Sequence, residues 1–209
     1  MSFTLDVSKT VLLSLHMQHD IVFKNGKFGD FFGEQAETRN VVVKARNLLN
    51  EARTHNVCVI HAAVCFKEGH SDLHANSPLL SMVQQTDALV KGTWGADFIS
   101  DVHPQEKEVV IESQRVGPFE GTDLAARIQD TGADTVILFG VATDIVVSSA
   151  TRVLSDMGYN VVIAEDCCSA GSQEAHEAAL ATLGLLAHVS NSEDITEKLQ
   201  AASGIQPHP

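Results

Sequence analysis

The chain alternates two kinds of segment. Residues 11–15 (VLLSL), 57–64 (VCVIHAAV), 109–111 (VVI), 135–139 (TVILF) and 161–164 (VVIA) are short, nearly unbroken apolar runs. Such runs predict strands buried on both faces, because a half-exposed strand would alternate apolar and polar residues. Between them lie stretches with helical spacing. Val41, Ala45, Leu48, Leu49 and Ala52 fall on one face, with Lys44, Arg46, Asn47 and Glu51 between them. Val147, Ala150, Val153, Leu154 and Met157 repeat the pattern, and Gly158 stops it. Thr122-Asp123 predicts the cap of a helix carrying Leu124 and Ile128, with Gly132 at its end. Two more helices are predicted over 174–183 and 195–202, a last strand over 185–189, and a frayed tail after about residue 203.

Strands alternating with helices predict parallel βαβ units with right-handed crossovers. The expected fold is α/β: a three-layer α/β/α sandwich around a mostly parallel sheet of about six strands. The 209 residues show no linker, repeat or low-complexity segment, so one domain is expected over 1–209. Residues 65–107 break the rhythm. They exceed a plain connection of ~4–6 residues and predict a lid, a pocket wall or an oligomer contact.

Composition narrows the function classes. Hydrophobic residues at 44% and charged residues at 20% are those of a globular protein, and 5% aromatics imply an aliphatic core. A net charge of −13 argues against nucleic acid and against an anionic membrane surface as partners. No apolar run approaches the ~20 residues that span a bilayer. The start, MSFTLDVSKT, lacks the charged and apolar regions of a signal peptide. Cys58, Cys65, Cys167 and Cys168 form no Cys-x-x-Cys pair, so reduced thiols in a cytoplasmic protein are expected.

Parallel sheets bind ligands beyond the carboxyl ends of their strands. Three segments are expected there: Leu15-His16-Met17-Gln18-His19-Asp20, the stretch from Glu112 to Leu124, and Gly140-Val141-Ala142-Thr143-Asp144-Ile145-Val146. The first resembles a strand ending in Asp-Met-Gln-x-Asp. The second resembles Lys-x-x-x-Ser-x-Phe-x-Gly-Thr-x-Leu through Phe119-Glu120-Gly121-Thr122. The third resembles Gly-Val-Ala-Thr-x-x-Cys-Val and leads into Thr151-Arg152. Gly92-Thr93 and Glu165-Asp166 also match. In this order and spacing they resemble the isochorismatase-like cysteine hydrolases over roughly residues 10–190.

That resemblance implies a thiolate nucleophile, an aspartate base and a lysine that supplies positive charge. It also implies a turn whose amides can form an oxyanion hole, often beside a non-proline cis peptide, and a homo-oligomer (dimer or tetramer). The positions that match the triad hold His16, Ser113 and Val146. Valine has nothing to ionise, and losing a catalytic nucleophile typically costs ~10⁴–10⁶ in kcat. Cysteine-based acyl chemistry is therefore excluded at residue 146. Isochorismatases proper also lack the cysteine and work by proton transfer from the aspartate, a task within the reach of an imidazole.

Two readings follow. The leading one is a divergent hydrolase of a small organic molecule, with no covalent cysteine intermediate and His16 as general acid or base. The rival is a catalytically inactive binding module for a small molecule or a protein. Trp94, Phe119, Val141, Ala142 and Thr143 are expected to line the substrate pocket, and Gln18 and Asp20 to support the first strand end. Set beside these are plainer roles: His16 as a hydrogen-bonded structural histidine, Ser113 as a polar filler, Trp94 and Phe119 as core. Cys65 is the candidate for a relocated nucleophile, although buried cysteines are mostly inert.

His70 and His74 stand four apart, with His61 and His103 elsewhere, but the Asp-x-His metal motif of related nicotinamidases is missing after residue 63. No metal and no cofactor are expected. A nucleotide-binding fold of Rossmann type is set aside because no glycine-rich turn follows the first strand.

Overall fold

A computed structural model describes residues 3–204. Six strands, β1 (Thr10–Leu15), β2 (Cys58–Val64), β3 (Val109–Ser113), β4 (Thr135–Val141), β5 (Asn160–Ser169) and β6 (His188–Ser190), form one sheet in the order β3-β2-β1-β4-β5-β6. Every pairing is parallel. β1 and β4 are buried along their whole lengths, which is why their sequences show no alternation. Leu13 pairs with Ile60 on one side and Leu138 on the other, at the middle of the aliphatic core.

Eight helices follow: α1 (His19–Val22), α2 (Glu34–Thr38), α3 (Val41–Thr54), α4 (Pro78–Thr86), α5 (Leu124–Asp130), α6 (Ser148–Asp156), α7 (Gln173–Leu183) and α8 (Ser192–Ser203). The chain moves one way across the sheet from β1 to β2 and the other way from β4 to β5. Right-handed crossovers in opposite directions place α3 and α6 on opposite faces. α8 packs on α3, and α7 packs on α6. The order reverses between β1 and β4, and a crevice opens at their carboxyl ends. Among the described residues no helix is long and apolar enough to cross a membrane.

Four local expectations shift. β3 runs two residues further, to Ser113. β5 continues past Ala164 through Glu165 and Asp166, with a register shift opposite Leu138 and Gly140. Long-range partners satisfy those carboxylates: Arg39 bonds Glu165 (2.8 Å), while the Ser192 N–H and hydroxyl bond Asp166 (2.7 and 2.8 Å). The last strand starts at His188 rather than 185, because residues 184–187 donate back to Leu180, Thr182 and Leu183 in the turn after α7. The 65–107 excursion holds a helix, α4, capped by Ser77 and opened by Pro78. The frayed tail expected at the end of the chain falls, from residue 205 on, outside the described residues.

Candidate active site

The site is assembled at the reversal point. β1 ends at Leu15, and His16 takes a left-handed conformation (φ 55°) while its N–H donates to the Ala62 carbonyl (2.9 Å). Its own carbonyl accepts from the Gln18 N–H (2.8 Å). Gln18 is fully buried and stitches three segments together. Its amide donates to the Val64 and Ala96 carbonyls (2.9 and 2.7 Å), and its oxygen accepts from the Val64 N–H (2.9 Å). The Asp20 carboxylate accepts from the Leu89 and Lys27 N–H groups (2.8 and 3.1 Å), tying the excursion to α1. Gln18 and Asp20 thus brace the end of β1.

From β4 comes the Gly140-Val141-Ala142 turn, with a cis peptide between Val141 and Ala142. Gly140 is required here: its φ is 141°, and an added Cβ would lie 2.0 Å from the Leu15 carbonyl oxygen. Residues Thr143–Val147 form a single wide turn that runs into α6.

Between these ends lies a cavity of ≈ 60 Å³, lined by His16, Val141, Ala142, Ile145 and Val146. Ile21, Phe28, Phe32, Val64 and Leu89, Leu79, Leu80 and Val83 of the α4 segment, and Arg115 and Val116 from the loop after β3 complete the walls. Apart from His16 and Arg115, every lining side chain is apolar. His16 is only 5% exposed, and its Nε2 has no hydrogen-bond partner. Burial lowers its pKa from 6.5 to about 4, because the charged imidazolium loses its hydration. The ring is therefore neutral at neutral pH.

The other residues that sequence reasoning singled out are placed less simply. Ser113 is fully buried but faces its own loop: its hydroxyl accepts from the Arg115 N–H (3.0 Å) and donates to the Gly117 carbonyl (3.2 Å). It clamps the turn that carries Arg115 and Val116. Thr143 sits behind the cavity, its hydroxyl bonded to His176 Nδ1 (2.8 Å). His176 Nε2 meets Glu165 (3.4 Å), and Glu165 is held by Arg39. Hydrogen bonding from His176, then the charge of Arg39, lowers the Glu165 pKa.

Phe119 packs against the core, and Val116 supplies that loop's apolar wall in its place. Trp94 is half exposed, stacks on His19 (centroids 4.6 Å apart) and borders a separate cavity. Neither aromatic lines the His16 cavity: Trp94 is held on the His19 ring and Phe119 against the core.

All four cysteines are free, and none lines the His16 cavity. Burial raises Cys168 to about 12 and holds Cys167 well above the usual thiol range. His70 is buried with Nε2 on the Ala88 carbonyl (2.8 Å), and His74 is exposed beyond the short turn that ends at His70. His61 is buried against Glu108 (2.9 Å), which Arg53 also holds. Among the described residues no group of three or more His, Cys, Asp or Glu is arranged to hold a metal ion.

Sequence reasoning did not single out Arg115, His176 or the α4 leucines. The available signals were a cation within the loop after β3, and the Ser77-Pro78 opening of a helix inside an otherwise unpatterned stretch.

Comparison with known proteins agrees with this architecture. The isochorismatase domain matches residues 10–194. The isochorismatase family protein YwoC of Bacillus subtilis is 29% identical over 185 residues, covering 86% of this chain and 87% of its own length. The ureidoacrylate amidohydrolase RutB of Stutzerimonas stutzeri is 26% identical over 187 residues, covering 83% and 75%. A cysteine hydrolase from Pseudomonas syringae pv. phaseolicola superposes with a TM-score of 0.86 at 19% identity, covering 96% of this chain and 97% of that one. With the fold shared and the family domain matching residues 10–194, the chain belongs to the isochorismatase family of hydrolases.

Proposed function

We propose that this family member hydrolyses a small organic molecule in the His16 cavity without a covalent cysteine intermediate. His16 is the proton-moving residue. The observation that carries this reading is the cavity's inventory: a neutral imidazole whose Nε2 is unpartnered, one arginine, and no thiol. Val146 takes the place that the family resemblance reserves for sulfur and acts as an apolar wall. A neutral imidazole can accept a proton from water or from substrate, and the low dielectric of the cavity strengthens any hydrogen bond it makes there. The pKa of about 4 makes it a weak base, so the reading demands a reactive substrate or strong positioning. The amidohydrolase activity named for RutB makes small amides and ureido compounds the first candidates.

A second reading, binding without turnover, is favoured by one observation. The hydroxyls of Ser113 and Thr143 are both spent on internal hydrogen bonds, leaving few polar groups for chemistry. Purified protein assayed against amides, esters and enol ethers separates the two. Hydrolysis that disappears in His16→Ala supports the first reading. A complete lack of turnover alongside saturable ligand binding supports the second. We further propose a cytoplasmic homo-oligomer, dimer or tetramer, with no bound cofactor and with neither nucleic acid nor membrane as partner; the charge of −13 supports the last point.

A further inference from the structure

The His16 cavity carries one permanent charge, and no protein group neutralises it. Arg115 lines the cavity and is itself exposed, which puts it where the cavity meets solvent. Its Nη1 donates to the Gln114 carbonyl (3.1 Å). Among the described residues no carboxylate pairs with it, and its other guanidinium N–H groups have no protein partner. That sets it apart in this chain. Arg39, Arg46, Arg53 and Arg127 each hold an Asp or Glu at 2.8–3.0 Å. With 27 acidic residues against 14 basic ones, such pairing is the expected state of an arginine here.

The backbone around Arg115 is fixed. Ser113 Oγ accepts from the Arg115 N–H (3.0 Å) and donates to the Gly117 carbonyl (3.2 Å), closing the turn. The Gln114 side-chain amide donates to the Cys65 carbonyl (3.4 Å), tying the same turn to the end of β2. The cation is therefore carried on an anchored loop.

The lining decides which ligand charge the cavity can take. It includes no Asp or Glu, so nothing there would stabilise a cation. His16 is neutral, and the remaining walls are apolar. A charged end can be matched only by Arg115. A guanidinium presents two parallel N–H groups that fit the two oxygens of a carboxylate. The net charge of −13 repels anions at a distance, but salt screens that repulsion beyond ~8 Å, so close contact decides binding.

We propose that Arg115 is the specificity-determining residue of the His16 cavity and that its substrate is a small carboxylate with an apolar body. The carboxylate sits on Arg115 at the mouth, the body lies against Leu80, Val83 and Val116, and the hydrolysable bond faces His16. This rests on the reading of that cavity as the hydrolytic site. It divides the labour: an arginine does not give up its proton and so cannot move one, while a neutral imidazole cannot hold an anion by charge. Contacts remote from the reacting bond bind ground state and transition state alike, so losing Arg115 should raise KM and leave kcat nearly unchanged.

The test needs no identified substrate. Isovalerate and benzoate, each compared with its own amide, are titrated into the purified full chain at neutral pH and followed on its methyl NMR signals. Acid and amide have nearly the same shape and differ in charge. The acids should bind about tenfold more tightly, the scale of a hydrogen bond between charged groups, with shifts at the Val116 and Val146 methyls. Arg115→Met removes the charge and should erase the preference while amide affinity stays, which also shows that the variant is folded. Arg152→Met removes another exposed arginine, outside the cavity, and should leave the preference intact. Equal affinities in the parent, a parent that binds neither acid, a preference that survives Arg115→Met, or shifts that avoid the cavity would each overturn the proposal. His16→Asn separates it from the hydrolytic reading. That variant keeps Arg115 and should keep the preference even if the protein hydrolyses nothing, whereas hydrolysis by a parent without the preference would sink this inference alone.

Discussion

Burying His16 leaves a thermodynamic signature that can be measured without knowing a substrate. In the unfolded chain its imidazole titrates near 6.5, and in the folded protein near 4. Between those values only the unfolded chain takes up the proton, so stability falls as the pH drops below about 6.5 and the loss is complete below about 4. The gap corresponds to a total of about 3 kcal/mol, of which about 2 kcal/mol is already lost at about pH 5. His16→Asn isolates this contribution. Asparagine tolerates the left-handed backbone required at φ 55° and does not titrate.

Urea unfolding of both proteins at about pH 7.5 and about pH 5 gives the comparison, with linear extrapolation to water. Every other titrating group, including the buried His61 and the carboxylates, contributes equally to both proteins and cancels. The parent should lose about 2 kcal/mol more than the variant over this interval. Parallel losses in the two proteins would show that His16 is hydrated or charged in the folded state, and the account of a dry cavity around a neutral imidazole would fail.

Two other changes probe the scaffold that aims the site. Gln18→Leu strips three hydrogen bonds and leaves the Val64 N–H and the Val64 and Ala96 carbonyls buried without partners. It should cost about 3 kcal/mol and lower Tm by roughly 10 °C in calorimetry; a shift of a degree or two would mean that water reaches these groups. Gly140→Ala places a Cβ 2.0 Å from the Leu15 carbonyl at a φ of 141°. It should cost more than about 4 kcal/mol or yield no soluble protein, and near-parental stability in a melt would contradict the close approach of β4 to β1.

The parallel sheet was legible in the chain because its strands are short apolar runs with no exposed face to dilute them. The crevice was legible too, since Gly140-Val141-Ala142 and His16 sit where two such runs end. What escaped depends on contacts made far along the chain. β5 looks finished at Ala164 until Arg39 and Ser192 arrive to satisfy Glu165 and Asp166. Leu185 reads as strand, yet it is 84% exposed in the turn that closes α7.

Pocket composition was the least legible feature. Which side of the excursion faces the cavity depends on anchors such as Asp20 to Leu89, not on local periodicity. Trp94 and Phe119 looked like walls because they are aromatic. The His16 cavity is lined instead mainly by leucines, valines, isoleucines and phenylalanines from segments with no functional signature.

The proposed hydrolysis proceeds at His16, beside a valine and not a thiol. A crystal structure of the protein with a turned-over substrate or its product addresses it most directly. Density is expected in the cavity between His16 and Val146, with a polar ligand atom within hydrogen-bond distance of His16 Nε2 and no bond to sulfur. Ligand joined to Cys65 with the His16 cavity empty, or an imidazole turned away from the bound molecule, would contradict it.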